Sequence, residues 1–329
     1  MGHKLSARIA GTGSYTPPHR MTNADLEKLV DTSDDWIVSR TGIRERRIAA
    51  NGTATSDLAV EACRRAMDMA GVRNDDIDLV INGTVTPDYK LPSTACVIQE
   101  KMGLTTAAAF DIAAACTGFI NGLSVAKAFI ETGQYRRILV VGSEKLSSIV
   151  NYTDRATCVL FGDGAGAVVV EASDSDRGIL STYLKSDGRL REWLWVEVGG
   201  TARPYTPEYL WNGRDKVLMN GSEVFKVAVR EMKKAALRVI EDARLTPADI
   251  SLLVPHQANL RIIAALAKRL HIGHERMFLN LEKYGNTSAA SVPIALDEAN
   301  RQGRLKPGDH VLMVAFGGGL IWGAALVRW

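Results

Sequence analysis

Two parts of the chain show the same pattern, in which a helix-like run is followed by a buried, strand-like run. Corresponding positions in the two parts are separated by a constant number of residues. Ile77 lies at the first such strand, and its counterpart Ile250 lies 173 positions later. A second strand-like run begins at Ile138, and its counterpart begins at Val311, again 173 positions later. A glycine-rich segment follows the second run in both parts. Two equal offsets between similar patterns predict a duplicated α/β unit, with helices on both faces of its sheets.

The composition is typical of an ordinary globular protein and narrows the possible partners. Of the 329 residues, 46% are hydrophobic and 23% are charged, which excludes a disordered or collagen-like chain. Lysine and arginine number 40 against 37 aspartate and glutamate residues, a net charge of +3. We therefore expect neither a nucleic-acid nor a membrane-surface partner.

The cysteine pattern and the hydropathy pattern indicate the cellular compartment in which the protein resides. Four cysteines, none of them in a Cys-x-x-Cys pair, predict neither a disulfide framework nor a structural zinc site. Residues 1–10 do not read as a signal peptide, and no run reaches the roughly 18 apolar residues of a membrane span. These observations predict a cytoplasmic protein without a metal site.

Residues 192–211 are rich in Trp, Pro, Tyr and Gly and lack a clear periodicity. They predict a long loop, which we expect to cover a site; simple surface packing of the tryptophans is the alternative. Gly162, Gly164 and Gly166 do not form a dinucleotide-binding fingerprint, because a strand-like run and not a helix follows them.

Cys116 is predicted to lie at a turn between a strand and the N-terminus of a helix. A strand-like run ends at Ile112, and Phe119 and Leu123 begin a helical spacing after the cysteine. The free backbone N–H groups and the positive dipole end of a helix favour a thiolate at such a place. A buried and inert cysteine is the alternative, and that interpretation suits Cys63 better.

Two further polar side chains are predicted at the ends of buried runs. His256 follows Pro255 at the carboxyl end of a strand, where open α/β sheets bind their ligands. Asn286 lies in a turn that leads into a helix, and a simple helix cap is the alternative. The glycines at 317–319 offer backbone N–H groups to an oxyanion, or form no more than a tight hairpin.

Two chemistries fit a cysteine that is followed by a histidine and an asparagine. Papain-like hydrolases place the histidine and asparagine roughly 130–150 residues after the cysteine, and His256 lies 140 positions after Cys116. Their local cysteine motif is absent, however, and the duplicated α/β pattern does not suit them. The other chemistry joins two thioesters: the cysteine holds an acyl group, and an imidazole and an amide N–H stabilise the enolate that a malonyl-type thioester forms on losing CO₂.

Six segments carry a resemblance to a known family. They are Asp-Thr-Ser-Asp-Asp-Trp-Ile-Val-Ser-Arg-Thr-Gly-Ile at 31–43, Asp-Ile-Ala-Ala-Ala-Cys-Thr-Gly-Phe at 111–119, Phe-Gly-Asp-Gly-Ala-Gly-Ala at 161–167, Val-Pro-His-Gln-Ala-Asn-Leu-Arg at 254–261, Gly-Asn-Thr-Ser-Ala-Ala-Ser at 285–291 and Phe-Gly-Gly-Gly-Leu-Ile-Trp-Gly-Ala-Ala-Leu-Val at 316–327. Together they make the sequence resemble the β-ketoacyl-acyl-carrier-protein synthase III family, within the thiolase-like superfamily.

The resemblance implies a thiolase-like α/β fold, with two duplicated halves in a five-layered αβαβα arrangement, in a homodimer. The halves are residues 1–176, with the nucleophilic cysteine, and 177–329, with the histidine and the asparagine. It implies that Cys116 takes an acyl group from acyl-CoA, and that His256 and Asn286 assist decarboxylative condensation with malonyl-acyl-carrier protein. The products are then 3-oxoacyl-carrier protein, CoA and CO₂, which initiates type II fatty-acid synthesis. Both thioesters are substrates, and no cofactor is expected.

The same positional match implies which residues bind CoA. Trp36, Arg40, Arg155 and Asn259 are expected to contact it, with Trp36 and Arg155 on either side of the adenine. An aromatic face that stacks on a base and a cation near phosphate are both physically sensible.

The match also implies an oxyanion hole and a docking surface. The backbone N–H groups of Cys116 and Gly318 are expected to form the oxyanion hole. Arg261 and Lys268 are candidates for docking the acidic carrier protein, and an ordinary solvated helix face is the alternative, above all for Lys268.

Leu91 lies where acetyl-preferring members of the family carry a bulkier phenylalanine. The smaller side chain is expected to enlarge the acyl pocket toward branched or longer primers. The leading alternative function is a related enzyme that primes a polyketide or another secondary product with the same catalytic set. A cysteine hydrolase, which releases free acid without a malonyl thioester, and a non-catalytic binding protein are alternatives from other classes.

Overall fold

The computed structural model describes residues 5–329, and its strands form two main sheets. The first four positions of the segment 1–10, and of the predicted half 1–176, therefore lie outside the described residues. The first sheet consists, in spatial order, of β1 (Ser6–Tyr15), β7 (Gly164–Ser173), β6 (Arg137–Glu144), β4 (Leu79–Gly83) and β5 (Ala108–Ile112). The second consists of β8 (Gly178–Ser186), β13 (Ile321–Arg328), β12 (His310–Gly317) and β11 (Leu252–Pro255).

The two sheets repeat one another, which confirms the predicted duplication. β4 pairs with β6 in parallel and β6 pairs with β7 antiparallel, and β11, β12 and β13 follow the same pattern. β4 and β11 begin 173 positions apart, and so do β6 and β12. β7 ends at Ser173 and β8 begins at Gly178, so the predicted division at 176/177 falls in the turn between them.

Helices cover both sheets and fill the space between them. α3 (Thr55–Ala70) and α4 (Thr94–Met102) cover the first sheet, and α8 (Gly221–Asp242), with α9 (Leu260–Leu270) packed on it, covers the second. α5 (Gly118–Glu131) and α11 (Ser291–Arg301) lie between the sheets and contact both. This is the expected five-layered αβαβα arrangement.

The inner parallel strands are buried because helices cover both of their faces. Leu79, Ile81, Ile138 and Val140 are among their fully buried side chains, and such strands are continuously apolar rather than alternating. No helix within residues 5–329 is both long enough and apolar enough to cross a membrane.

The remaining elements are short. They are β2 (Arg20–Thr22), which pairs with β3 (Glu45–Arg47), β9 (Leu194–Val196), which pairs with β10 (Val217–Met219), and the helices α1 (Asn23–Leu26), α2 (Asp34–Thr41), α6 (Arg155–Cys158), α7 (Pro207–Trp211) and α10 (Leu281–Tyr284).

The segment 192–211 is not one irregular loop. It contains β9 and α7, and it begins in a 3₁₀ helix, Gly188–Trp193. The prediction of a loop without regular structure was therefore wrong. β9 forms only because β10, which lies outside the segment, supplies its hydrogen-bond partners, and a local periodicity does not reveal such a distant pairing.

Candidate active site

Cys116 lies in a 3₁₀ turn, Ala115–Thr117, between β5 and α5, as the sequence predicted. Ala115 has a φ of 45°, a left-handed conformation that non-glycine residues adopt at a cost and that often marks functional turns. A Cβ atom on Gly317 would lie 2.6 Å from the Cys116 backbone nitrogen. Only glycine therefore allows the end of β12 to approach the cysteine, which is how the two halves meet at one site.

The protonated thiol is the stable form of Cys116. Burial raises the pKa of the Cys116 thiol to about 12, and the carboxyl group of Glu144 adds to the rise. The Ser288 hydroxyl and the backbone N–H groups of Cys116 and Gly318 lower the pKa. The sequence predicted that the helix end favours a thiolate. The backbone N–H groups at this end do lower the thiol pKa, but burial raises it by more.

His256 follows the last residue of β11 and is 4% exposed. Its backbone N–H donates to the Val314 carbonyl at 2.8 Å, which continues the parallel pairing with β12 by one residue. The neighbouring Gln257 fixes the strand end, because its side-chain amide donates to the carbonyl of Pro255 at 2.7 Å. Burial lowers the pKa of His256 to about 4, so the imidazole is neutral near pH 7.

Asn286 is held by backbone pairing with the segment before β7. Its N–H donates to the Leu160 carbonyl at 2.8 Å, and its carbonyl accepts the Gly162 N–H at 3.0 Å. Gly285 before it has a φ of 63°, and a Cβ atom there would lie 2.6 Å from the Leu160 oxygen. Glycine at 285 thus positions Asn286, and the helix-cap alternative does not hold, because Ala290 is the N-cap residue of α11.

One cavity of about 670 Å³ brings the three predicted catalytic residues together. Cys116, His256 and Asn286 all line this first cavity, as does Phe316. The three residues come from β5–α5, from the end of β11 and from the turn before α11. Its volume is in the range of cavities that hold cofactor-sized ligands.

The first cavity is also lined by cations and by an indole ring. Arg40, Lys226 and Arg261 line it, and within residues 5–329 no carboxylate side chain does. Trp36 lines it as well, and the Arg155 guanidinium lies 4.9 Å from the centre of the Trp36 ring. Such a lining suits a ligand that carries both an aromatic base and phosphate groups.

The four residues predicted to contact CoA do not all line the first cavity. Trp36, Arg40 and Asn259 line the first cavity, whereas Arg155 does not line it and reaches it only through Trp36. Asn259 also stabilises the local structure. Its side-chain oxygen accepts the Arg261 N–H at 2.8 Å, which caps α9, and its side-chain NH₂ donates to the Arg40 carbonyl at 3.0 Å.

The two predicted docking cations lie at different distances from the site. Arg261 lines the first cavity and lies 5.9 Å above the Phe225 ring, whereas Lys268 is exposed on α9 away from the cavity lining. Phe225 and Lys226, which line the first cavity from α8, were not predicted from the sequence. A signal was present, since both lie on a strongly amphipathic helix.

Cys116 also borders a second cavity, of about 490 Å³. Its walls are mainly apolar and include Val85, Ile149 and Ile321. Leu194, Trp195, Val196, Val198 and Tyr205 line it too, so the segment 192–211 does cover a site, as the sequence predicted. Leu91, the predicted acyl-pocket residue, lines neither cavity of its own chain and is 87% exposed.

Two groups beside the thiol were not found from the sequence. Glu144 is fully buried at the end of β6, and Ser288 is 3% exposed in the 3₁₀ turn before α11. The apolar run from Ile138 to Val141 does not extend to Glu144, although β6 continues to this residue and buries its carboxyl group. A charged residue that directly continues a buried strand was the signal.

The arrangement suits nucleophilic acyl transfer followed by stabilisation of an oxyanion. A thiol lies beside two backbone N–H groups, and a neutral imidazole and a primary amide line the same cavity. Neutral donors of this kind stabilise a developing negative charge on oxygen. No cluster of metal-binding side chains occurs within residues 5–329.

Family models and known proteins of one family match this chain. Family models described as 3-oxoacyl-[acyl-carrier-protein] synthase III match residues 110–188 and, for its C-terminal part, residues 240–329. The β-ketoacyl-[acyl-carrier-protein] synthase III of Caldanaerobacter subterraneus is 53% identical over 329 residues, which are 100% of this chain and 99% of the relative. The enzyme of the same name from Roseiflexus sp. is 53% identical over 98% of both chains.

Solved structures agree with the sequence relatives. The 3-oxoacyl-[acyl-carrier-protein] synthase III of Aquifex aeolicus is 48% identical and superposes with a TM-score of 0.92, covering 98% of this chain and 100% of its own. The priming β-ketosynthase of the R1128 polyketide pathway also has a TM-score of 0.92, over 99% of this chain and 97% of its own, but is only 37% identical. The fatty-acid relatives are thus the more similar, and the polyketide alternative is not favoured.

Proposed function

The chain belongs to the β-ketoacyl-[acyl-carrier-protein] synthase III family of condensing acyltransferases in fatty-acid synthesis, and from this premise we propose that Cys116, His256 and Asn286 are its catalytic residues. The observation that carries the proposal is the first cavity, because it joins all three side chains to a cationic and aromatic surface. The substrates we assign to it are an acyl-CoA and malonyl-acyl-carrier protein.

Acyl transfer is the first step. The Cys116 thiol gives up its proton as its sulfur attacks the carbonyl carbon of acyl-CoA. A carbon–sulfur bond to the protein forms, the carbon–sulfur bond to CoA breaks, and CoA takes up a proton and leaves as the thiol. The N–H groups of Cys116 and Gly318, which already face the sulfur, donate to the carbonyl oxygen as it becomes an oxyanion. The acyl chain then occupies the second cavity, whose walls are apolar.

Condensation is the second step. Malonyl-acyl-carrier protein enters through the first cavity and loses CO₂, and the electron pair of the broken bond forms an enolate. The neutral imidazole of His256 and the side-chain NH₂ of Asn286 donate to the enolate oxygen. The enolate carbon attacks the acyl group on Cys116, which releases the sulfur and gives 3-oxoacyl-carrier protein. Because decarboxylation supplies the carbanion, no carboxylate base is needed.

The surface around the first cavity supports the two thioester partners. Arg40, Lys226 and Arg261 suit the phosphates of CoA and of the carrier's phosphopantetheine arm. Lys268 lies further along α9 and is assigned to the acidic carrier protein itself. Replacing Lys268 by Glu is expected to raise the KM for malonyl-carrier protein and leave that for acyl-CoA unchanged, whereas Lys185→Glu, which lines neither cavity, serves as the charge-matched control.

A homodimer is supported by the edge of the first sheet. β5 pairs with β4 on one side and has no strand partner on the other within residues 5–329, and an open edge of this kind readily pairs with a second copy. The exposure of Leu91 fits the same arrangement, since the side chain reaches an acyl cavity only if a neighbouring copy presents one. The cytoplasmic location stays a prediction.

Product analysis with the complete reaction tests the function. The enzyme is incubated with acyl-CoA and malonyl-carrier protein, and 3-oxoacyl-carrier protein, CoA and CO₂ are measured. We expect the three products in equal amounts. Release of free acid without any need for the malonyl thioester would instead identify a hydrolase.

A further inference from the structure

Arg46 is a fully buried arginine that lines neither cavity. Within residues 5–329 its guanidinium donates only to neutral oxygens: the Met21 carbonyl at 3.2 Å, the Asn23 side chain at 2.9 Å and the Val159 carbonyl at 2.8 Å. Burial lowers the pKa of Arg46 to about 10, so the group is charged at neutral pH. Burying a charge without an ion-pair partner is costly, and these hydrogen bonds offset the cost. The rigid, planar guanidinium therefore fixes its three acceptors relative to one another.

One of the three acceptors belongs to the segment that holds Asn286. Val159 is the C-cap residue of α6 and lines the first cavity. The carbonyl of the next residue, Leu160, accepts the Asn286 N–H at 2.8 Å, and Gly162 donates to the Asn286 carbonyl at 3.0 Å. Arg46 also packs closely on this segment, because a Cβ atom on Gly162 would lie 3.1 Å from the Arg46 Cβ atom. Arg46 thus fixes the backbone that sets the position of Asn286.

A second acceptor, Asn23, connects Arg46 to both ends of α2. Asn23 is 1% exposed, and its side-chain oxygen accepts the Arg46 N–H. Its NH₂ group is thereby left to donate to the Asp34 carboxylate at 2.7 Å and to the Ile43 carbonyl at 2.9 Å. Asp34 is the first residue of α2, and Ile43 lies two positions beyond its last residue. The position of Trp36, which lines the first cavity from α2, therefore depends on Arg46.

We propose that Arg46 is a positioning residue that fixes α2 and the segment 159–162 relative to each other, so that CoA meets Trp36 and the malonyl thioester meets Asn286 in the required geometry. The inference rests on the proposed function and adds to it a residue that lines neither cavity. Loss of the first placement weakens CoA binding, and loss of the second slows decarboxylation. Attack by Cys116 depends on neither contact, because its turn lies between β5 and α5.

Arg46→Met tests the proposal, because methionine fills much of the same space and makes none of the three hydrogen bonds. We expect decarboxylation of malonyl-carrier protein by the pre-acylated variant to be slower by about 10- to 100-fold. The Kd for CoA, measured by calorimetry, should rise about tenfold. Acylation of Cys116 by acyl-pantetheine needs neither the nucleotide contacts nor Asn286, so its rate should change by less than about threefold. A general disruption of the fold would instead impair all three.

Arg46→Lys separates the shape of the guanidinium from its charge. Lysine keeps the positive charge and the aliphatic stem, but its single ammonium group cannot span acceptors on separate segments as a planar fork does. We expect the same pattern as for Arg46→Met: slow decarboxylation, weak CoA binding and nearly normal acylation by acyl-pantetheine. This variant also serves if Arg46→Met does not fold. Wild-type values for Arg46→Lys would show that charge alone is needed, which contradicts the proposal.

Asp34→Ala tests the link to α2 alone. Asp34 is exposed, and its replacement removes the contact between Asn23 and the start of α2 while the three Arg46 hydrogen bonds stay. The Kd for CoA should rise about tenfold, and decarboxylation should keep the wild-type rate. Asp35→Ala removes the same charge from the same turn of α2 and is the matched control. If Asp34→Ala and Asp35→Ala bind CoA equally well, Asn23 does not connect Arg46 to the CoA site, and that half of the proposal is wrong.

Arg276→Met controls for lost stability. The Arg276 guanidinium also bridges backbone carbonyls, those of Ile250 at 3.1 Å and His271 at 3.2 Å, but it lines neither cavity. We expect urea denaturation to show that Arg276→Met and Arg46→Met are both destabilised, whereas only Arg46→Met changes decarboxylation and CoA binding. Equal kinetic effects in the two variants would mean that Arg46 acts only through stability.

Two sets of results would overturn the role of Arg46, and they differ. If Arg46→Met and Arg46→Lys slow acylation by acyl-pantetheine as strongly as decarboxylation, or slow neither, Arg46 is not a positioning residue, while the proposed function stands. If the wild-type enzyme takes no acyl group from acyl-CoA or from acyl-pantetheine, the proposed function fails, and the role of Arg46 fails with it.

Discussion

The side-chain oxygen of Asn286 accepts the backbone N–H of Ser288 at 2.8 Å. Since a backbone N–H only donates, this contact fixes which end of the Asn286 amide is oxygen and which is nitrogen. The NH₂ group is left for the first cavity, which Asn286 lines. Asn286 therefore presents donors to a ligand, as stabilisation of an enolate oxygen requires.

Asn286→Asp tests this orientation. Aspartate keeps an acceptor for the Ser288 N–H but replaces the NH₂ donors with negatively charged oxygen. We expect malonyl decarboxylation to fall by about 10²–10³-fold, the usual effect of losing an oxyanion donor. Acylation of Cys116 should change by less than about threefold. The two half-reactions are measured separately, and an equal loss in both would mean that Asn286 is structural.

His256 should make folding stability depend on pH in acid. Burial lowers its pKa from 6.5 to about 4, so between these values the unfolded chain binds more protons than the folded one. The stability that the neutral imidazole contributes is complete above about pH 6.5 and is lost as the pH falls through the folded pKa.

His256→Gln removes this dependence. The variant's free energy of unfolding minus that of the wild type should increase by about 2–3 kcal/mol when the pH is lowered from 7.5 to 4.5. Urea denaturation at both pH values measures it. The raised pKa of Glu144 changes stability with pH in the opposite direction. Because Glu144 is present in both the wild type and the variant, its effect cancels in the difference. A difference that does not vary with pH would contradict the neutral, buried imidazole.

Trp36→Ala should weaken CoA binding. The indole ring lines the first cavity with Arg155 4.9 Å and Arg40 5.6 Å from its centre, and stacking of a base on an aromatic ring contributes about 1–3 kcal/mol. We expect the Kd for CoA, measured by calorimetry, to rise about 5- to 150-fold. Trp36→Phe should lose less, and acylation by acyl-pantetheine, which lacks the nucleotide, should not change. A loss that is equal for both acyl donors would place Trp36 elsewhere in the reaction.

The second cavity should decide which primer is accepted. Val85 lines it and is 38% exposed, so a larger side chain fits there without disturbing the core. Val85→Phe should lower the ratio of octanoyl-CoA to acetyl-CoA acylation rates by about tenfold or more, since each methylene in such a pocket carries about 1–3 kcal/mol of discrimination. An unchanged ratio would mean that the acyl chain lies elsewhere.

Leu91→Phe applies the same measurement to the sequence-based prediction. Leu91 lines neither cavity of its own chain, so any change in the octanoyl-to-acetyl ratio must come from a neighbouring copy. A ratio that falls as in Val85→Phe supports the prediction that Leu91 sets primer size. If the wild type itself clearly prefers acetyl-CoA, that prediction is wrong.

Local patterns were sufficient to place the main chemistry. The apolar run before Cys116 and the helical spacing after it predicted the strand-to-helix turn, and Pro255 marked the strand end at His256. Both features depend on residues close in sequence. The equal offsets of 173 likewise predicted the paired sheets, because each half buries its strands in the same way.

Features that depend on distant contacts were missed. The buried Glu144 carboxylate accepts a hydrogen bond from the hydroxyl of Thr86, which lies 58 residues earlier in the chain. The thiol pKa was misjudged for the same reason, since the burial that raises it comes from packing of the two halves around Cys116. Neither effect is visible in a local window of sequence.

The most direct test of the account is the covalent intermediate on Cys116. Intact-protein mass is measured after mixing with an acyl-CoA, and again after adding malonyl-carrier protein, with Cys116→Ser as the control. We predict an added acyl mass that requires Cys116 and disappears as 3-oxoacyl-carrier protein forms. An adduct that decays to free acid, or no adduct with any acyl donor, would contradict the assignment.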